Sequence, residues 1–231
     1  MKKGLVLDKV VLLGRTFEEY ARYFALEPAA LANRAILDVA AGVSSFCAEG
    51  SARGFQITAL DPIYQWPAER ILQNCEPDLD RVIGAIDGLQ TYKWDYYKTP
   101  EDLKRLRQKS DRLFLADFAR RAGSYIAGSL PQLPFATGQF ELTLVSYLLF
   151  AYEDQLDYEF HRRSLQEIMR VTRGEARLYP LVTFEARRSV FVDRLIADPA
   201  LKHLSFEEIP TDFEFLVGSN GFLKIRHGVS Q

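Results

Sequence analysis

The sequence predicts an α/β protein whose sheet is mostly parallel and closes in an antiparallel hairpin. Residues 35–61 read as strand, helix and strand joined by short turns, a unit whose crossover makes its two strands parallel. Residues 140–184 repeat that order with a buried strand, a helix and a further strand. The closing stretch "FEFLVGSNGFLKIRH" places two apolar runs around Ser219-Asn220-Gly221, a hairpin signal.

Each element has a local reason. "TFEEYARYFAL" (16–26) is a leading helix, with Phe17, Tyr20 and Phe24 at apolar positions and a Thr16-x-x-Glu19 capping box. Ala35 to Val39 is the first strand. "SSFCAEGSARG" then forms a helix that a serine caps and Gly54 ends. "FQITALD" (55–61) is the second strand, apolar or β-branched and closing on an acid. Residues 64–98 show no clear period and are dense in aromatics around "QTYKWDYYKTP". Thr99 and Pro100 start a helix, as cap and first residue, with a broken stripe of Leu103, Leu106, Leu113, Phe114 and Phe118. "SYIAG" (124–128) is a short strand, and "FELTLVSYLLF" (140–150) is a buried one. "HRRSLQEIMRVTRG" is a helix with Leu165, Ile168, Met169 and Thr172 on one face. Arg170 and Arg173 suit its negative end, and Gly174 its termination. "EARLYPLVTF" follows as a strand.

Composition narrows the class. A chain of 231 residues can bury a substantial core as one domain over 1–231. Its 29 basic and 31 acidic residues create no overall field towards nucleic acid or a membrane. Cys47 and Cys75 supply neither a disulfide framework nor metal-ligand spacing, and His161, His203 and His227 are scattered, so no metal site is expected. Asp8 and Lys9 interrupt the apolar start, no small-residue cleavage site follows, and no run approaches a membrane span. The expectation is a cytoplasmic protein.

The chemistry centres on "AILDVAAGVSSF" (35–46). In a doubly wound sheet, ligands sit at the carboxyl ends of the strands, where strand order reverses. Asp38 and the Ala40–Ser45 turn occupy that edge, and Asp61 follows Asp38 by 23 residues, about the spacing of a ribose-binding acid. Asp61-Pro62 is equally able to start a turn. A dinucleotide pyrophosphate needs glycines at three places of the turn, and here those places hold Ala40, Gly42 and Ser45. S-adenosylmethionine carries no phosphate and asks only for a small, tight turn.

With these residues in view, the chain resembles the class I S-adenosylmethionine-dependent methyltransferases. The family's acid and G-x-G-x-G turn match Asp38, Ala40, Gly42 and Ser44. "GSLPQLPFATGQFELTLVSYLLF" (128–150) is similar to the family's loop leading into its fourth strand. "LQEIMRVTRGEARLYPL" (165–181) is similar to the helix that leads into the fifth. The resemblance implies a three-layer Rossmann-like sandwich with a seven-stranded sheet and an antiparallel last strand. It implies S-adenosylmethionine as cofactor, held by Asp38, Ala40, Ala41 and Gly42 at the turn and by Asp61 at the ribose. Pro62 and Ile63 would lie beside the adenine, Ser129 and Leu130 at its amino edge, and Ser146 and Tyr147 at the methionine end. Residues 64–123 then form an insertion relative to the minimal core, read either as an acceptor-binding cap or as a surface subdomain. Arg15, Tyr20 and Phe24 are placed to close over the cofactor.

In-line methyl transfer needs positioning more than a dedicated base, and no catalytic residue is assigned. His161 is expected to face solvent at a helix start. The basic residues Lys104, Arg105, Arg107, Lys109 and Arg112 are expected to form a solvated helix face. "SYLL" at 146–149 is not the Asn/Asp-Pro-Pro-aromatic motif of base N-methylation. The expected acceptor is a small molecule, with no membrane partner and nucleic acid disfavoured. The alternatives are a methyltransferase-like protein that binds the cofactor without turnover, and an NAD(P)-dependent oxidoreductase.

Overall fold

Seven strands hydrogen-bond into one sheet in the order β3-β2-β1-β4-β5-β7-β6. They are β1 (Ala35–Val39), β2 (Gln56–Leu60), β3 (Tyr125–Ile126), β4 (Phe140–Ser146), β5 (Thr172–Tyr179), β6 (Leu204–Pro210) and β7 (Gly221–His227). In this computed structural model, which describes residues 4–7 and 9–228, β7 runs antiparallel to both its neighbours and the other six strands share one direction. Asp8 and the basic start of the chain lie outside the described residues. The expected α/β class, the parallel core and the antiparallel close are all present.

The helices are α1 (Phe17–Tyr23), α2 (Pro28–Leu31), α3 (Phe46–Ala52), α4 (Ala68–Ile86), α5 (Pro100–Phe118), α6 (Tyr158–Val171) and α7 (Val190–Ile196). Alternation along the strands sends their side chains to two apolar layers. Ile36, Ile57, Ala59, Leu142 and Leu144 pack with α1, α3, α4 and α5. Leu37, Val39, Leu60, Val145, Leu178 and Leu223 pack with α6 and α7. The result is the three-layer sandwich.

Several local expectations hold. Thr16 and Glu19 form the reciprocal capping box of α1, and Thr99 caps α5 with Pro100 in its first turn. Other expectations need correction. The stretch after residue 64 contains α4, a helix of 19 residues with Ile71, Cys75, Leu79, Val82 and Ile86 buried along one face. Those apolar positions do recur at helical spacing, and the prolines at 67 and 77 mask it. Ser45 stands at the N-cap of α3 with its hydroxyl on Glu49 Oε1 at 2.7 Å, and it is the neighbouring Ser44 whose Oγ accepts the Phe46 N–H at 3.1 Å.

Gly174 does not terminate α6. It lies inside β5, where a Cβ would come within 2.1 Å of the Glu141 carbonyl oxygen, so glycine is required by close strand approach. The hairpin also differs in extent. Its first strand is β6, and residues 213–217 leave the sheet, with Phe213, Phe215 and Leu216 buried against the aromatic insertion. The aromatic pairs Tyr92–Phe215 and Tyr97–Phe215 have centroids 5.0 and 4.6 Å apart, and Leu216 makes an isolated antiparallel bridge to Tyr92.

Candidate functional site

Strand order reverses between β1 and β4, and the crevice at their carboxyl ends is where a parallel sheet offers a ligand site. The turn after β1 is shaped for it. Ala40 and Gly42 both take left-handed backbone, at φ 56° and 54°. An alanine at such a φ costs about 1–2 kcal/mol, so the surrounding contacts must enforce it. They do: the Gly42 N–H donates to Asp61 Oδ2 at 2.9 Å, and the Tyr64 hydroxyl donates to the Gly42 carbonyl at 2.8 Å. Tyr147, just past β4, is a second strained position, at φ 52°.

A cavity of about 300 Å³ opens over this edge. Of the eleven residues expected at the cofactor, ten line it: Ala40, Ala41, Gly42, Asp61, Pro62, Ile63, Ser129, Leu130, Ser146 and Tyr147. Asp38 stands apart. It is fully buried beneath the turn, where the Tyr20 hydroxyl donates to its Oδ1 at 3.0 Å. Its Oδ2 has no hydrogen-bond partner among the described residues, and burial pushes its carboxyl well above the usual range.

Asp61 performs both roles weighed from the sequence. Its Oδ1 accepts the Ile63 N–H at 3.0 Å and starts the short 3₁₀ turn at Pro62, while its Oδ2 secures Gly42. A carboxylate has about four acceptor positions, so two remain towards the cavity. Burial raises its pKa to about 6, although the two backbone N–H groups pull it back down. Ser146 adds an Oγ that is buried and without a partner among the described residues.

The other wall is a strap, residues 5–7 and 9–15, whose sequence shows only an apolar start. Leu5, Leu7, Val10, Val11, Leu12, Leu13 and Arg15 face the cavity. Five anchors tie the strap down. The Leu5 N–H donates to the Phe184 carbonyl at 3.3 Å, Gln155 Nε2 to the Leu7 carbonyl at 2.6 Å, and the Val11 N–H to the Tyr152 hydroxyl at 3.2 Å. Asp78 of α4 takes the Leu12 N–H at 3.0 Å and pairs with Lys9 at 2.9 Å. At Gly14 a Cβ would sit 2.5–2.6 Å from Asp111, Ser110 and Val43, so the strap reaches the turn only through glycine. Of the leading residues expected to close over the site, Arg15 alone lines it. Tyr20 and Phe24 are buried in the core.

Two expectations about polar residues are overturned. His161 is not solvent-facing but fully buried, with Nδ1 2.7 Å from the Asp157 carbonyl and its ring against Phe150 and Phe191. Burial lowers its pKa. The apolar spacing of α6 could have shown this, since His161 precedes Leu165 and Ile168 on the same face. Arg107 does not belong to a solvated face either. It is buried, with Nη1 2.6 Å from Glu19 Oε1 and Nη2 3.0 Å from the Tyr97 hydroxyl. Glu19 also accepts from Tyr23 and Tyr97, and Arg107 beside it holds its carboxyl below the usual range against the opposing effect of burial. Among the described residues no helix is long and apolar enough to cross a membrane, and no group of His, Cys, Asp or Glu side chains could hold a metal ion.

No family model matches the chain. It is 36% identical over 224 residues to uncharacterized protein MJ0045 of Methanocaldococcus jannaschii, an alignment covering 96% of this chain and 98% of that one. The chain belongs to the family of that protein. Solved structures similar to it include magnesium protoporphyrin IX methyltransferase from Synechocystis PCC 6803 with bound S-adenosylmethionine. That likeness has a TM-score of 0.48 and 10% identity, covering 92% of this chain and 78% of the other. Another is 1,6-didemethyltoxoflavin-N1-methyltransferase from Burkholderia thailandensis with bound 1,6-didemethyltoxoflavin and S-adenosylhomocysteine, at TM-score 0.43 and 13% identity, covering 87% and 76%. A third is a methyltransferase of Methanosarcina mazei, at TM-score 0.35 and 17% identity, covering 84% and 72%. Likenesses of this degree carry no conclusion about this chain's cofactor, reaction or acceptor.

Proposed function

We propose that this protein is a methyltransferase that uses S-adenosylmethionine and acts on a small-molecule acceptor, with residues 1–231 as one domain and residues 64–123 as its cap. The observation that carries the reading is the convergence of Ala40–Gly42, Asp61–Ile63, Ser129–Leu130 and Ser146–Tyr147 on one cavity at the switch point of the sheet. The residues fit the cofactor. The turn is small and lacks the glycines a pyrophosphate requires, and Asp61 keeps two acceptor positions for a ribose diol. Pro62, Ile63 and Leu130 provide an apolar wall for a purine, and the buried Ser146 Oγ, without a partner among the described residues, supports a polar contact with the ligand. When bound, the cofactor supplies an electrophilic methyl on a sulfonium. The chain's own contribution is positioning and exclusion of water, for which the apolar strap over the cavity is suited.

The test is thermal stability with S-adenosylmethionine, S-adenosylhomocysteine and NAD. An adenosyl ligand at a hundred times its dissociation constant adds about 2.7 kcal/mol, which for a chain of this size is a rise of roughly 5–10 °C. No shift with either adenosyl ligand at millimolar concentration sinks the proposal. A shift with NAD alone points to the oxidoreductase. Adenosyl binding without transfer across an acceptor panel identifies a binding protein without turnover.

A further inference from the structure

A second, smaller hollow of about 40 Å³ adjoins the main cavity and shares Leu5, Leu13, Arg15, Tyr147 and Phe184 with it. Its far wall comes from the insertion: Val82 and Ile86 of α4, Tyr92, and Leu103 and Arg107 of α5, with Phe215 from the stretch after β6. The insertion is therefore a wall of the cavity system as well as a subdomain with its own core. Two cations line this otherwise apolar hollow, and they differ in one respect. Arg107 is matched by Glu19. Arg15 pairs with no carboxylate among the described residues.

Arg15 sits where the two spaces meet. Its guanidinium carbon lies 4.3 Å from the Tyr147 ring centroid, and Nη1 donates only to the Leu13 carbonyl at 2.9 Å. Its Nε is out of contact with solvent and without a partner among the described residues. A partnerless donor on a charged group, held against an aromatic face in apolar surroundings, is costly unless a ligand completes it. A guanidinium so placed matches a planar carboxylate bidentately.

Resting on the methyltransferase reading, we propose that the hollow beyond Tyr147 receives the acceptor. The acceptor is a small apolar carboxylic acid whose carboxylate pairs with Arg15. No carboxylate among the described residues lines the hollow; of the two that lie near it, Glu19 is already engaged by Arg107, Tyr97, Tyr23 and Thr16, and Asp111 lies behind Gly14. No carboxylate among the described lining residues would meet an ammonium group, so the lining favours a simple carboxylate over the zwitterionic end of an amino acid.

The experiment uses the full chain and calorimetric titration with benzoate, phenylacetate and hexanoate, each against its carboxamide, with and without saturating S-adenosylhomocysteine. At least one carboxylate should bind about tenfold or more tighter than its amide in the wild type. Arg15→Met should abolish that preference, Arg15→Lys should recover part of it, and S-adenosylhomocysteine affinity should change less than about threefold. Melting curves of both variants report folding, and Arg15→Lys keeps the test open if Arg15→Met unfolds. No carboxylate preference in the wild type overturns the proposal. So does a tenfold loss of S-adenosylhomocysteine affinity in Arg15→Met with benzoate unaffected, since the guanidinium would then serve the cofactor's own carboxylate. Failure of S-adenosylhomocysteine to bind the wild type, with the carboxylate preference intact, instead refutes the methyltransferase reading and leaves the carboxylate site standing.

Discussion

If adenosyl binding runs through Asp61 as proposed, it depends on pH. Its carboxyl is raised to about 6 by burial, and only the ionised form can accept from a ribose diol while still holding Gly42 and Ile63. If the ligand requires that form, its dissociation constant scales as one plus the ratio of protonated to ionised Asp61. With a pKa of about 6, affinity is nearly constant above about pH 7, halved near pH 6 and about elevenfold weaker at about pH 5. Between those limits neither the carboxyl nor the amino group of S-adenosylhomocysteine changes charge, so the protein supplies the dependence. Stability runs the other way. The folded pKa lies above the unfolded value, so Asp61's contribution to the ligand-free fold is complete below about pH 4 and is lost as pH rises through about 6. The loss amounts to about 3 kcal/mol. Calorimetric titration of S-adenosylhomocysteine at several pH values, with Asp61→Asn as reference, measures the first effect. Chemical denaturation of the same two proteins measures the second. The variant should bind about tenfold or more weakly at neutral pH and show a flat profile. A wild-type affinity unchanged from pH 7 to pH 5, in protein that stays folded, would refute the assignment of Asp61 to the ligand.

Two further outcomes follow from contacts at and near the site. Glu19→Ala strands the buried Arg107 cation and should cost about 3–5 kcal/mol in denaturant unfolding, whereas Glu19→Met with Arg107→Met should cost much less; equal losses would show that the pair's charges are immaterial. Ala40→Gly relieves left-handed strain of about 1–2 kcal/mol against an unfolded-state penalty of about 0.4–1 kcal/mol, so it should stabilise by up to about 1.6 kcal/mol without weakening adenosyl binding. A destabilised variant would mean that the Ala40 methyl packs more than the backbone strains.

How far the site was legible follows from which residues speak through local chemistry. The turn and its partner acid could be read because small residues, an acid at a strand end and their spacing all act within a short stretch of chain. The ten cavity residues come from four such stretches, each placed by one strand end. The strap could not be read this way. Leu5 to Leu13 have no amphipathic period, and their place over the cavity depends on Phe184, Gln155, Tyr152 and Asp78, which lie far along the chain. Gly174 was misassigned for a related reason. A glycine after a helix usually ends it, and only the approach of Glu141 from the neighbouring strand reveals the other requirement.

Arg107 shows most clearly where charge patterning stops being informative. In sequence it sits among Lys104, Arg105, Lys109 and Arg112, and a run of that kind normally marks a solvated face. In the fold, Lys104 pairs with Asp80 at 2.6 Å with its side chain still a third exposed, while Arg107 turns inward to a carboxylate on a helix 88 residues away. That pairing joins α1 to α5 directly behind the hollow beyond Tyr147, where both cations face apolar walls. Glu19 neutralises one of them and ties α5 to α1. The other, Arg15, pairs with no carboxylate among the described residues, which is the ground on which an anion is proposed there. Exchanging the charges at Glu19 and Arg107 for methionines should therefore leave the carboxylate preference at Arg15 intact, provided the cap stays packed, as a benzoate titration of the double variant would measure. Loss of the preference in a folded double variant would place the anion at Arg107 instead.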